Sequence, residues 1–204
     1  MSRVDVPTRA LVRLAGAVAA GEPGRTGARA REAVAAGVPP IWGDELLLQS
    51  VLMVGYPRAL SAAAAWREAV GLPPVSGEDG ADLGLARAWR ERGEATCRVV
   101  YGANYDKLRA NVATLHPALD AWMVTEGYGR TLSRPGLDLV RREFCVIAQV
   151  MVFEAERQLH SHLRGARNAG ATVAEVEAVL AEAGTEASAR GRELAMGLWE
   201  RIRG

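Results

Sequence analysis

Apolar side chains recur three and four positions apart along nearly the whole chain, and β-branched alternation is almost absent. That period is the signature of helices that bury one stripe and wet the other. Leu11, Leu14, Ala15 and Val18 follow it, as do Val146, Ile147, Val150 and Met151. Glycine and proline punctuate the stripes where helices must stop. The reading places helices at 7–20, 25–36, 43–54, 56–70, 81–101, 104–115, 117–127, 135–155, 156–169, 172–183 and 186–202. Residues 71–80, dense in helix breakers, read as a linker. The expected fold is all-α.

The chain has 204 residues, 49% hydrophobic and 24% charged, which suits a globular core and excludes a disordered or collagen-like chain. A formal net charge of +1 supplies no basic surplus for binding nucleic-acid phosphate or acidic lipid, so neither partner is expected. No apolar run reaches the ~18 residues of a membrane span. The first residues carry an acid, Asp5, and no long apolar core, so no signal peptide is read and the cytoplasm is the expected address. Lys107 is the sole lysine among 25 basic residues, a bias that fits a GC-rich bacterial coding sequence.

The chain also matches itself at an offset of 133. Arg9-Ala10-Leu11-Val12-Arg13-Leu14-Ala15 falls on Arg142-Glu143-Phe144-Cys145-Val146-Ile147-Ala148, and residues 29–37 fall on 162–170. Gly37 and Gly170 suit the left-handed position just past a helix end. A second apolar helix follows in each copy, read from Glu45 and Glu175 with three extra residues in the first copy. The expected organisation is an N-terminal degenerate repeat at 1–70, a linker at 71–80 and a C-terminal repeat at 81–204. A two-helix unit cannot cover its own apolar face, so the copies should pack on each other or on another subunit.

Tyr128-Gly129-Arg130, Arg134-Pro135-Gly136-Leu137-Asp138, Arg142-Glu143-Phe144 and Gln158-Leu159-His160-Ser161-His162-Leu163-Arg164-Gly165-Ala166 together resemble the carboxymuconolactone decarboxylase family. Gly170 to Val176 resembles that family's turn and following helix, and Leu46 to Gln49 with Gly55 to Leu60 resembles its last helices in the first copy. The resemblance covers most of 97–185 and, more weakly, 8–70. It implies an alkylhydroperoxidase D-like helical bundle with an internally duplicated helical hairpin, assembled as a homo-oligomer with a trimer favoured. In the family's peroxidase branch a Glu lies on one helix and a CxxC followed by His on the next. Here Glu143 and His162 take the Glu and His positions. The thiol positions fall on Ala155 and Gln158, and a further His position on Arg157.

Peroxide reduction by that route needs a low-pKa thiolate and a resolving partner. Cys97 and Cys145 stand 48 residues apart in sequence and read as buried packing cysteines, so thiol peroxidase is the weaker alternative. The decarboxylase branch implies a lyase acting on a small carboxylated lactone, with Glu143 orienting His162 and His162 moving the proton. Arg157 or Arg164 would hold substrate carboxylates, since guanidinium forks bind them bidentately, Gln158 shares the helix face of His162, and the loop of Tyr128 and Arg134 either closes over the pocket with a phenol and a guanidinium or is a turn. Two other readings stand beside it: Glu143 and His162 as a buried pair that merely satisfies itself, and a non-catalytic helical assembly. No cofactor and no metal is expected. The first copy has Ala10 and Arg29 at the paired positions, which makes it a scaffold. His116 reads as a cap before Pro117, Ser133 as a cap for the helix entered at Pro135, and Trp66 and Trp199 as packing anchors.

Overall fold

The computed structural model describes residues 4–74 and 80–203, so residues 75–79 of the expected linker lie outside the described residues. Among the described residues there is no strand. Contacts divide the chain into one unit made of residues up to 74 together with 136–203, and a second made of 80–135. The stretch 81–135, which the sequence reading attached to the C-terminal repeat, therefore packs on itself, and the two repeats share one unit.

The duplicated unit is built from α1 (Val6–Ala20), α2 (Pro23–Ala35), α3 (Pro40–Val70), α7 (Leu139–Val152), α8 (Glu156–Asn168), α9 (Val173–Ala183) and α10 (Ala189–Arg203). Adding 133 carries the start of α1 onto α7, both ends of α2 onto α8, and the start of α3 onto α9. No extra residues are needed in the first copy, because its third helix starts at Pro40 rather than at Glu45. Gly55, at φ 70° and ψ 169°, interrupts α3, and its second half, from Tyr56, matches α10 at both ends by the same offset. Pro57 enforces the break, since it has no N–H to give back to the preceding turn. α3 is the one described helix with the length and hydropathy of a membrane span, and this break leaves neither half at the ~20 residues a span needs.

The local chemistry repeats with the helices. Asp5 and Asp138 each cap the helix that follows, accepting the N–H of Thr8 at 3.0 Å and of Arg141 at 3.1 Å. α7 thus begins at Leu139, not at Pro135: Gly136 is left-handed and Asp138, not Ser133, is the cap. Gly37 and Gly170 are both left-handed, at φ 78° and 100°. Trp66 and Trp199 are fully buried, and each donates its indole N–H to a carboxylate at the same spacing, Asp44 at 2.9 Å and Glu177 at 3.4 Å.

The two equivalent helices α1 and α7 pack on each other at the centre, α1 also touching α9 and α7 touching α3. Leu11, Leu14 and Val18 and their counterparts Phe144, Ile147 and Met151 are all buried in one continuous core. The duplication gives each copy the apolar cover that a lone hairpin lacks.

The second unit contains α4 (Ala86–Tyr101), α5 (Tyr105–Leu115), α6 (Pro117–Trp122) and a ten-residue π-helical stretch, Met123–Leu132. A regular helix over 117–127 was expected. Instead the Thr131 hydroxyl and the Ser133 amide each donate five residues back, to the carbonyls of Glu126 and Tyr128. α4 lies against this stretch backbone to backbone: a Cβ on Gly93 would strike the carbonyl of Val124, and one on Gly129 that of Trp89. His116 caps α6, its Nδ1 accepting the N–H of Ala118 at 3.0 Å.

Candidate functional site

Helices α7 and α8 form a hairpin whose turn is set by an unusual residue. Glu154 sits at φ 56°, the left-handed position that Gly21 fills in the first copy. α7 therefore ends at Val152 and α8 begins at Glu156, which turns the inner faces of the two helices toward each other. Glu143, on the first turns of α7, meets His162, on the second turn of α8. His162 Nδ1 lies 2.8 Å from Glu143 Oε2. The Glu143 carboxylate is wholly buried, and the His162 side chain keeps 8% of its exposure.

Two details define what this pair can do. Glu143 Oε1 has no hydrogen-bond partner, although it is sealed from solvent. His162 Nε2 has no protein partner among the described residues, so the ring's remaining exposure belongs to its far edge. An ionised carboxylate only accepts, so the 2.8 Å bond then requires the hydrogen on Nδ1. That arrangement leaves Nε2 as the nitrogen free to give or take a proton.

The other expected site residues scatter. Gln158 is exposed and lies about 40° around α8 from His162, on nearly the same face. Arg157 and Arg164 are also exposed but lie about 140° and 160° around the helix, away from His162. Tyr128 and Arg134 belong to the second unit. Tyr128 is buried there, edge-on to Tyr101 with ring centroids 6.0 Å apart, and half-buried Arg134 donates its backbone N–H to the carbonyl of Thr131.

Both cysteines are buried and neither is in a disulfide. Burial pushes the Cys145 thiol up to about 12, which leaves almost no thiolate at neutral pH. Among the described residues no three His, Cys, Asp or Glu side chains gather as a metal site.

Sequence reasoning passed over a second buried polar group, next to Glu143. Arg142 is fully buried and donates from Nη2 to Glu45 at 2.8 Å, from Nη1 to Gln49 at 3.2 Å and from Nε to the Leu137 carbonyl at 3.1 Å. Gln149, one turn pair further along the same face, donates to Ser50 at 2.7 Å. The signal was present: Arg142 and Gln149 stand seven apart on a mostly apolar helix, so they share a face that has to be covered.

In the first copy the corresponding face carries ion pairs instead. Arg29, the counterpart of His162, and Arg25, the counterpart of Gln158, both hold the buried carboxylate of Glu186, at 2.6 Å each.

No curated protein matches the chain. The sequence model of the carboxymuconolactone decarboxylase family matches it over residues 2–68 and 117–196, two segments that carry the two copies of the repeat. With that match over most of its length and its helical hairpins duplicated at a constant offset, this chain belongs to the carboxymuconolactone decarboxylase family.

Proposed function

We propose that Glu143 and His162 form the acid–base pair of a carboxy-lyase acting on a small carboxylated lactone. The carrying observation is the geometry of the pair: a sealed carboxylate 2.8 Å from Nδ1, and an Nε2 that no protein group occupies. In the reaction the bond between the ring carbon and the carboxylate breaks. CO2 leaves, and the electron pair stays on carbon, delocalised into the adjoining unsaturated system. His162 Nε2–H delivers a proton to that carbon, and the imidazole regains one from solvent. Glu143 stabilises the imidazolium and holds the ring in register. Gln158, beside His162 on α8, orients the lactone through its amide.

Arg157 and Arg164 face away from His162, so they are outside this part of the proposal. Tyr128 and Arg134 enter it only through the family resemblance. The same resemblance supports a homotrimer. The competing reading, a self-satisfied buried pair in a non-catalytic assembly, draws its support from the near-complete burial of both side chains.

The test is CO2 release from a carboxylated lactone. His162→Ala and Glu143→Gln are expected to lower the rate by about 10²- to 10⁴-fold, the range of general acid–base catalysis. Full retention of activity in His162→Ala, or no turnover of any such lactone by the wild type, refutes the lyase reading.

A further inference from the structure

The duplication supplies an internal control for side chains that the fold does not need. Between α8 and α10 lies an open groove of about 530 Å³, lined by Glu156, Arg157, His160, Ser161, Leu198 and Arg201. A smaller groove of about 260 Å³ in the first copy, lined from α1, α2 and the second half of α3, overlaps the equivalent place at Pro23 and Ala65 only. The first copy makes the same helix pair with Gly24, Gly27, Ala28 and Glu68 where the second has Arg157, His160, Ser161 and Arg201. Packing therefore requires neither guanidinium, nor the imidazole, nor the hydroxyl. The Glu68-to-Arg201 exchange reverses the charge outright.

These groups are also unspent. Among the described residues neither Arg157 nor His160 has a hydrogen-bond or ion-pair partner, and Arg201 donates only to the carbonyl of Gly197, in its own helix. Elsewhere in this unit arginines are commonly paired: Arg9 and Arg13 with Glu182, Arg25 and Arg29 with Glu186, Arg141 with Asp138, Arg203 with Glu200. The groove's one acid is Glu156, outnumbered by two guanidiniums. The first turn of α8 adds its own positive end, since its N-cap, Ala155, has no side-chain acceptor to satisfy the leading N–H groups. Leu198 closes the floor as an apolar wall.

We infer that this groove is a binding site for the oxyanion group of a small molecule, a carboxylate or a phosphate, clamped between Arg157 and Arg201 with Ser161 and His160 as further donors. It is separate from the Glu143–His162 pair: Arg157 and His160 lie about 140° and 160° around α8 from His162. The inference does not depend on the lyase reading.

The experiment follows the full-length protein by thermal unfolding and calorimetric titration at constant ionic strength, with inorganic phosphate, succinate and chloride as probes. Saturable binding of phosphate or of succinate, absent with chloride, is expected; whichever oxyanion binds more tightly names the source. Arg157→Gly with Arg201→Glu, which restores the first copy's lining, should weaken that binding at least 10-fold, and His162→Ala should leave it unchanged. Arg201→Gln alone carries the same expectation if the double variant does not fold. Equal effects of all three anions, or unaltered binding in the groove variants, would overturn the inference.

Discussion

The buried pair predicts an asymmetry that a surface pair would not show. Removing the imidazole in His162→Ala strands a carboxylate with no exposure, whose other oxygen already lacks a partner. Breaking a buried pair from the side that leaves the charge behind costs about 3–5 kcal/mol. Removing the acid in Glu143→Ala leaves an imidazole that can be neutral and whose far edge still reaches solvent. That loss is closer to the ~1–3 kcal/mol of one unsatisfied polar group, before a similar cavity term in each variant. His162→Ala should therefore be the more damaging by about 2 kcal/mol, and the double variant should lose less than the two single losses added together. Urea unfolding followed by circular dichroism measures all three, with the slope checked for constancy. In melting temperature the gap corresponds to roughly 4–8 °C for a chain of this size. Equal losses in the two single variants, or strict additivity in the double, would refute the view that a sealed carboxylate depends on the imidazole.

Three further outcomes are expected. Cys145, pushed up to about 12 by burial, should resist iodoacetamide in the folded protein at pH 8 and label on unfolding; rapid native labelling by mass spectrometry would contradict its place in the core. Glu154→Gly relieves a left-handed residue worth about 1–2 kcal/mol but gives up a hydrogen bond accepted from the Ser188 hydroxyl and an ion pair with exposed Arg190, so the melting temperature should hold or rise slightly; a drop of several degrees would show that those contacts dominate. In the second unit, hydrogen bonds from Arg109 hold the Asp120 carboxyl below its ordinary 3.8. A depressed carboxyl contributes its stability in full above the ordinary value and loses it as the pH falls through the folded one. Asp120→Asn should accordingly lower stability at neutral pH and flatten the acid limb below about pH 4, as read by unfolding at pH 7 and pH 3.

Much of the duplicated unit was legible because its determinants are local. Helical period, capping aspartates and left-handed glycines act within a few residues, and even the break in α3 announced itself in Gly55 and Pro57. The start of α7 was misplaced because Ser133 and Pro135 offer a plausible cap and first turn, while Gly136 and Asp138 offer better ones. What local rules could not supply was partnership. Arg142 reads as one more charge on a helix until Glu45 and Gln49 arrive from a segment more than ninety residues away to cover it. The π-helical stretch likewise depends on hydroxyl and amide donors at Thr131 and Ser133, residues that ordinarily read as loop formers.

Comparing the copies separates the scaffold from what has been added to it. Positions that agree at the offset are those the packing demands: Trp66 with Trp199, Ala15 with Ala148, Asp5 with Asp138, Gly37 with Gly170. Positions that disagree are spread over every helix pair, but two of those on α7 and α8 disagree in kind. Ala10 becomes a buried acid at Glu143, and Arg29, held by Glu186, becomes an imidazole with an open nitrogen at His162. In the first copy Arg25 and Arg29 both close on the buried carboxylate of Glu186, so that charge is matched by opposite ones. In the second the acid is satisfied at one oxygen only, and the imidazole keeps 8% of its exposure. A pair kept purely for stability would gain from the closed arrangement that the same chain already builds once. Retaining the less satisfied version in the second copy is the reason to seek the chemistry there, in one half of the unit and not in both.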